Sequence, residues 1–133
     1  MTPQRELHDD LKRHVDEQRI RAAIDAAERG TTGAIHVSLA KHVRGSARGA
    51  AERVFQSLGF GTPGSGAVLF FVVPSRREIV VLGGEGIHSK VGDAYWQQLV
   101  AEITQRAREE DLTAALVHGI AEVGERLRKH FPG

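Results

Sequence analysis

Cysteine is absent from this 133-residue chain, which removes disulfide frameworks, cysteine-type zinc sites and thiol nucleophiles together. Any metal site must therefore be built from histidine and carboxylates. A surplus of charge of one sign is missing as well: 18 Lys and Arg stand against 17 Asp and Glu, a net of +1 with neutral histidine. That balance supplies no bulk field to recruit nucleic acid or an anionic membrane, and neither is expected as a partner. Long apolar runs are also lacking. The longest, Ala67 to Val73, is far too short to cross a bilayer, and the polar stretch Met1 to Asp16 holds no apolar signal segment. A soluble, cytoplasmic protein without membrane insertion is the expectation. Tryptophan and tyrosine occur once each, and Trp96 has apolar companions at helical spacing, which favours core packing over ligand stacking.

What is present is the composition of an ordinary globular domain, 41% hydrophobic and 26% charged, at a length that suits one domain. Asp16 can cap a helix whose apolar residues Ile20, Ala23, Ile24 and Ala27 recur at the 3.6-residue period, with Gly30 at the position of a left-handed C-terminal cap. Upstream, Leu7, Leu11 and Val15 lie four apart, so residues 1–15 read as an N-terminal helical arm and 16–133 as a single domain. From Ala34 the period becomes two, with Ile35, Val37 and Leu39 alternating against Ala34, His36 and Ser38, a strand. Ser46 caps a helix carrying Ala47, Ala50, Ala51, Val54, Phe55 and Leu58, and Gly59 ends it. Ala67 to Val73 does not alternate, as in a central strand covered on both faces. Glu78 to Leu82 follows closely enough to form an antiparallel hairpin with it. Val91, Tyr95, Trp96, Leu99, Val100 and Ile103 mark a further helix, and Asp111 caps a last one. The order α-α-β-α-β-β-α-α has too many helices for stacked sheets and predicts a small mixed sheet with helices on both faces.

Eight of the 15 glycines fall in two windows, Gly59, Gly61, Gly64, Gly66 and Gly83, Gly84, Gly86, Gly92, both read as loops. One enters the central strand and the other leaves its hairpin partner. The right-handed crossover rule brings the entry to the first strand, Thr31 to Ala34, to the same end. A pocket belongs there, where Thr31, Thr32, Thr62, Ser65, Glu85, His88, Ser89 and Asp93 supply polar groups. Two readings stand open: a small ion site of bare amides with Glu85 and Asp93, or glycines that serve tight turns and helix caps.

Other motifs fail on context. Gly59-x-Gly61-x-x-Gly64 follows a helix and precedes a strand, the reverse of a dinucleotide fingerprint. Ser65 between Gly64 and Gly66 is likewise no nucleophile elbow, which needs a strand before the serine. The seven histidines show no H-E-x-x-H or related metal spacing, and only His88, beside Glu85, sits where a site is expected. Arg76 and Arg77 form a small cationic spot at the hairpin tip, read as a solvated turn.

Thr31-Thr32-Gly33-Ala34-Ile35-His36-Val37, Val54-Phe55-Gln56-Ser57-Leu58-Gly59, Gly66-Ala67-Val68-Leu69, and the stretch from Arg77 through Gly83-Gly84-Glu85-Gly86-Ile87-His88 together resemble the TPM domain. Gly119 to Gly124 and His130-Phe131-Pro132 resemble its short cytosolic bacterial form. The resemblance implies a three-layer α/β/α sandwich with a Rossmann-like sheet. It implies less about activity, since the family includes a thylakoid-lumen protein with reported acid phosphatase activity, a modulator of a nematode acetylcholine receptor and bacterial members that bind calcium. The family pattern has a Glu opening the first strand, Asn-Gly entering the central strand and an Asp after the hairpin, where this chain has Ala34, Ser65 and Gly84. Calcium takes about six to eight oxygens and gains from carboxylate charge. The expectation is thus a non-catalytic accessory or binding module with an unidentified protein partner, and either no cofactor or a weakly held calcium or magnesium ion on Glu85 and Asp93. Thr32, Ser65, Gly84 and His88 line the candidate pocket. The alternative is a metal-dependent phosphatase acting on phosphomonoesters.

Overall fold

The apolar run Ala67–Val73 forms the central strand, β2, and every residue of it is buried. The computed structural model describes residues 15–133, and the arm expected over residues 1–15 lies outside them but for Val15. Strand β1 (Ala34–Leu39) pairs with β2 in parallel, Ala34 opposite Ala67 and Leu39 opposite Val72. Strand β3 (Glu78–Gly83) pairs with it antiparallel, Val68 opposite Gly83 and Val73 opposite Glu78. The sheet is mixed, in the order β1-β2-β3.

Alternation along β2 divides the core in two. Leu69, Phe71 and Val73 face helix α2 (Ala47–Ser57), meeting Ala47, Ala50, Ala51 and Phe55. Small alanines at this contact let the helix axis lie close to the sheet. Val68, Phe70 and Val72 face the larger cluster, with Ile35, Leu39 and Val81 beside them. That side is covered by α1 (Glu17–Glu28), α3 (Glu85–Val91), α4 (Asp93–Glu109) and α5 (Leu112–His130). The result is the three-layer α/β/α sandwich expected from the order of elements. Phe70 is fully buried at its centre, where truncation to alanine costs about 3–5 kcal/mol.

Local signals set the helix starts. The side chains of Asp16, Ser46 and Asp111 accept the amides of Arg19, Gly49 and Ala114 at 3.2, 3.0 and 2.7 Å. Each replaces a bond to water on an otherwise orphaned amide, worth about 1 kcal/mol. Helix α1 is then tied to α5 by the amide of Asp16, which donates to the hydroxyl of buried Thr113 at 2.9 Å. At the outer edge of the sheet the Glu28 carboxylate accepts the amide of Ile35 at 2.8 Å, so a charged side chain occupies an edge position that another strand could otherwise pair with.

One expectation is corrected. The second glycine window is not a continuous loop, because Glu85–Val91 forms helix α3, and Val91 closes this helix instead of opening the next. Ile87 is the reason: it is fully buried, and about two turns of helix deliver it into the core while keeping Glu85 in the first turn. Gly92, at φ 81°, then redirects the chain into α4, a conformation open to glycine and costly for other residues.

Tyr95 sits between α4 and α5, edge-on to Trp96 with centroids 5.1 Å apart and with the Arg126 guanidinium 5.4 Å above its ring. Its hydroxyl is buried beside the Arg126 side chain. Burial, then the charge of Glu122, pushes its pKa up to about 12, against a smaller opposing effect of Arg126. A phenol whose folded pKa is raised contributes stability below the unfolded value of 10.0, lost as pH rises through about 12. As the only tyrosine, it can be read directly. Its phenolate absorbance is expected to rise with a midpoint near 12 in the folded protein and near 10.0 in denaturant, and Tyr95→Phe should flatten the loss of stability between those values.

Candidate functional site

Three chain segments converge at the entry end of β2, as the crossover argument requires. The amide of Ala34 donates to Gly66 O at 3.3 Å, and that of Gly84 donates to Ala67 O at 2.8 Å. Ala34, Ser65 and Gly84, the three positions at which the chain is expected to depart from the family pattern, therefore lie on one edge.

Ser65 organises that edge. Its carbonyl accepts the amides of Gly86 and Ile87 at 2.9 and 3.2 Å, while its hydroxyl accepts the amide of Ala67 at 3.2 Å. Gly84 lies directly against it: a Cβ there would stand 2.5 Å from Ser65 Oγ and 2.6 Å from the Ser65 carbonyl. The space that a longer side chain at position 84 would need is filled. Gly86 is equally confined, since a Cβ would meet Gly64 O at 2.3 Å and the Phe131 ring at 2.8 Å. Both glycines serve close backbone approach.

Glu85 turns its carboxylate onto this framework, accepting the amide of Gly64 at 3.4 Å. The amides of Gly64, Gly84, Gly86 and Ile87 are all satisfied within the protein, so none of these four is left bare to cradle an anion. Thr31 and Thr32 belong to a different group. The Thr31 hydroxyl is within hydrogen-bond distance of the Phe131 and Leu127 carbonyls at 2.5 and 3.1 Å, and it accepts the amide of Gly33 at 3.0 Å. The amide of Thr32 donates to Phe131 O at 2.9 Å. Together with the bridge between Thr31 and Pro132, these bonds lay the segment Phe131–Gly133 along the edge. The Phe131 ring packs on Gly66, where a Cβ would stand 3.0 Å from it.

His88 and Asp93 form a second cluster, at the junction of α3 and α4. The Trp96 indole donates to His88 Nδ1 at 3.0 Å, and His88 Nε2 lies 3.4 Å from Asp93 Oδ1. An indole N–H can only donate, so Nδ1 is the acceptor and the imidazole proton sits on Nε2, toward Asp93. The Asp93 side chain is 85% exposed, which leaves the pair well screened by water. Ser89 donates to Gly86 O at 3.0 Å and caps its own turn, while the Thr62 carbonyl accepts the amide of Ser65. Among the described residues no three His, Asp or Glu side chains stand together as a metal-holding group.

Two participants were not singled out from sequence. Phe131 enters the sequence reading only within His130-Phe131-Pro132 of the family resemblance, and nothing in its spacing signals that its ring lies on Gly66 and Gly86. Trp96 was read as core, which its 8% exposure bears out, but its hydrogen bond to His88 has no signature in spacing. His36, by contrast, stands exposed on the outer face of β1, and His118 lies 3.7 Å from Glu102 on the helical side.

Fold and edge together define a three-layer α/β/α domain in which a mixed three-stranded sheet gathers glycine-rich segments at one end. The TPM domain family matches residues 11–126, and the chain belongs to that family. Among solved structures it is similar to the BA42 protein of the psychrophilic bacterium Bizionia argentinensis, at 30% identity and a TM-score of 0.77 over 89% of this chain and 84% of that one. It is also similar to the N-terminal domain of a protein from P. gingivalis, at 14% identity and a TM-score of 0.73 over 88% of this chain and 78% of that one. The N-terminal domain of the cg2496 protein from Corynebacterium glutamicum gives 20% identity and a TM-score of 0.64 over 83% and 70%. These last two likenesses concern the fold alone. No curated protein matches the chain.

Two outcomes are expected from this geometry. Gly84→Ala should destabilise the protein by about 1–3 kcal/mol in urea unfolding, because the Ser65 carbonyl, held by the amides of Gly86 and Ile87, cannot withdraw. His88→Leu removes the acceptor of the indole, so the emission of Trp96, the only tryptophan, should shift in that variant, and His88→Gln, which keeps a side-chain acceptor, should shift it less.

Proposed function

We propose that this TPM domain is a non-catalytic accessory or binding module in which the divalent-metal site at the glycine edge is weakened or lost. The observation that carries the reading is Ser65 packed against Gly84: the carboxylate expected at position 84 is gone and the space beside it is filled. The two remaining acids do not fit a hard cation well. Glu85 is engaged by the Gly64 amide and Asp93 stands beside His88, whereas calcium takes about six to eight converging oxygens. No catalytic step is derived through a metal on these residues.

A partner protein would use the scaffold, whose sheet and helices are complete, without needing chemistry at the edge. Among the described residues no helix is long and apolar enough to cross a membrane.

The test is thermal unfolding of EDTA-treated protein with millimolar calcium, magnesium, manganese or zinc, since a ligand bound only by the native state raises its stability by mass action. No shift in Tm is expected with any ion. In parallel, hydrolysis of p-nitrophenyl phosphate should not exceed that of a Glu85→Ala, Asp93→Ala control, with or without EDTA. A Tm shift abolished by either substitution, together with EDTA-sensitive hydrolysis, would overturn the reading in favour of a metal-dependent phosphatase.

A further inference from the structure

At the opposite end of the sheet, where β2 turns into β3, the chain leaves an open cleft of about 390 Å³. Its walls are apolar at the base, from Val72, Ile79, Ala107 and Leu112, and its rim carries Arg77, Arg108 and Glu78. The volume and the mix of an apolar base with few polar groups are those of a small-molecule site.

The rim charges are what give the cleft a specificity. Arg76, next along the turn, is fully engaged: its guanidinium donates to the carbonyls of Gly45 and Val43 at 2.6 and 2.5 Å. Around Arg108 the neighbouring acids are likewise occupied, Glu110 by Arg106 at 3.4 Å and Glu109 by Gln105 at 2.5 Å. Arg77 and Arg108 themselves make no ion pair or side-chain hydrogen bond among the described residues. Arg77 is moreover the one non-glycine among them with a positive φ, 54°, a left-handed conformation that asparagine or glycine would adopt at lower cost. Two unpaired guanidinium forks against the single carboxylate of Glu78 leave the rim one positive charge in excess.

We propose that this cleft binds a small organic monoanion, a carboxylate on an apolar aromatic or aliphatic body. The body fills the space over Val72, Ile79, Ala107 and Leu112, and the carboxylate accepts charge-assisted hydrogen bonds from Arg108 and Arg77. A guanidinium presents the planar pair of donors that a carboxylate matches. A dianion is disfavoured by Glu78, and a neutral molecule would leave both forks unanswered. The cleft and the glycine edge lie at opposite ends of β2, so this proposal stands apart from the reading of the edge.

The experiment uses 4-phenylbutyrate as the probe and its uncharged amide, 4-phenylbutyramide, as the control, followed by ¹H–¹⁵N correlation spectra of the full chain. Saturable shifts are expected at the amides of Ile79, Thr104, Ala107 and Leu112 with the carboxylate, and at least about tenfold weaker binding by the amide. Arg108→Gln, at an exposed helical position, should weaken the carboxylate by about tenfold while leaving the spectrum otherwise folded. Arg77→Asn keeps the left-handed turn and should weaken it likewise. Equal binding of acid and amide, unchanged affinity in both variants, shifts confined to the glycine edge, or no shifts at millimolar probe would each overturn the proposal. None of these results would move the metal titration, and a failure here is therefore separable from a failure there.

Discussion

Strand β2 has no polar face. A seven-residue strand with every side chain buried must be covered above and below and paired along both edges, and the rest of the molecule meets those four demands. Helix α2 covers one face as the crossover from β1, and α1, α3, α4 and α5 cover the other. The hairpin to β3 supplies one edge and parallel β1 the other. Because β1 and β2 run the same way and β3 returns, two strand entries and one strand exit are placed at one end of the sheet, with only the hairpin turn and the close of β1 at the other. The location of both candidate sites follows from the burial of this strand.

The two ends answer the problem of unsatisfied backbone in different ways. At the glycine end, segments from three parts of the chain approach so closely that their amides and carbonyls satisfy one another, with Ser65 at the centre and Phe131 laid over Gly66 and Gly86. Such packing is stable because few polar groups remain without partners. At the hairpin end the turn is held from one side by Arg76, bonded to the loop that precedes α2. On the other side the end of α4 and the start of α5 stand off from β3, leaving an apolar gap with a charged rim. At one end the chain carries Ala34, Ser65 and Gly84, while at the other Arg77 and Arg108 line a cleft with an apolar base.

Much of this was legible from local pattern. The N-caps at Asp16, Ser46 and Asp111, the two-residue alternation of β1 and the unbroken run of β2 each depend on neighbours within about four residues, and the parallel and antiparallel pairings followed from connection rules. Helix α3 was missed because three glycines in its vicinity mimic a loop, and its decisive residue, Ile87, declares itself only by the core it enters. At the candidate site, the convergence of Ala34, Ser65 and Gly84 was legible through topology. The filling of the space between Ser65 and Gly84 was not, since it depends on ångström-scale distances between strands.

What the sequence by itself determined, then, is every described element except α3, their order and the end of the sheet at which glycine-rich segments meet, because capping, periodicity and chain reversal are short-range effects. Only the tertiary structure decided that Phe131 lies on Gly66, that the Trp96 indole donates to His88, that Glu85 holds the Gly64 amide, and that Arg77 and Arg108, from a turn and a distant helix, face one cleft. Those contacts join different elements of the fold, and hydrogen bonds and packing act over only a few ångströms. No pattern along the sequence can specify which distant groups will come within that range until the core has brought them there.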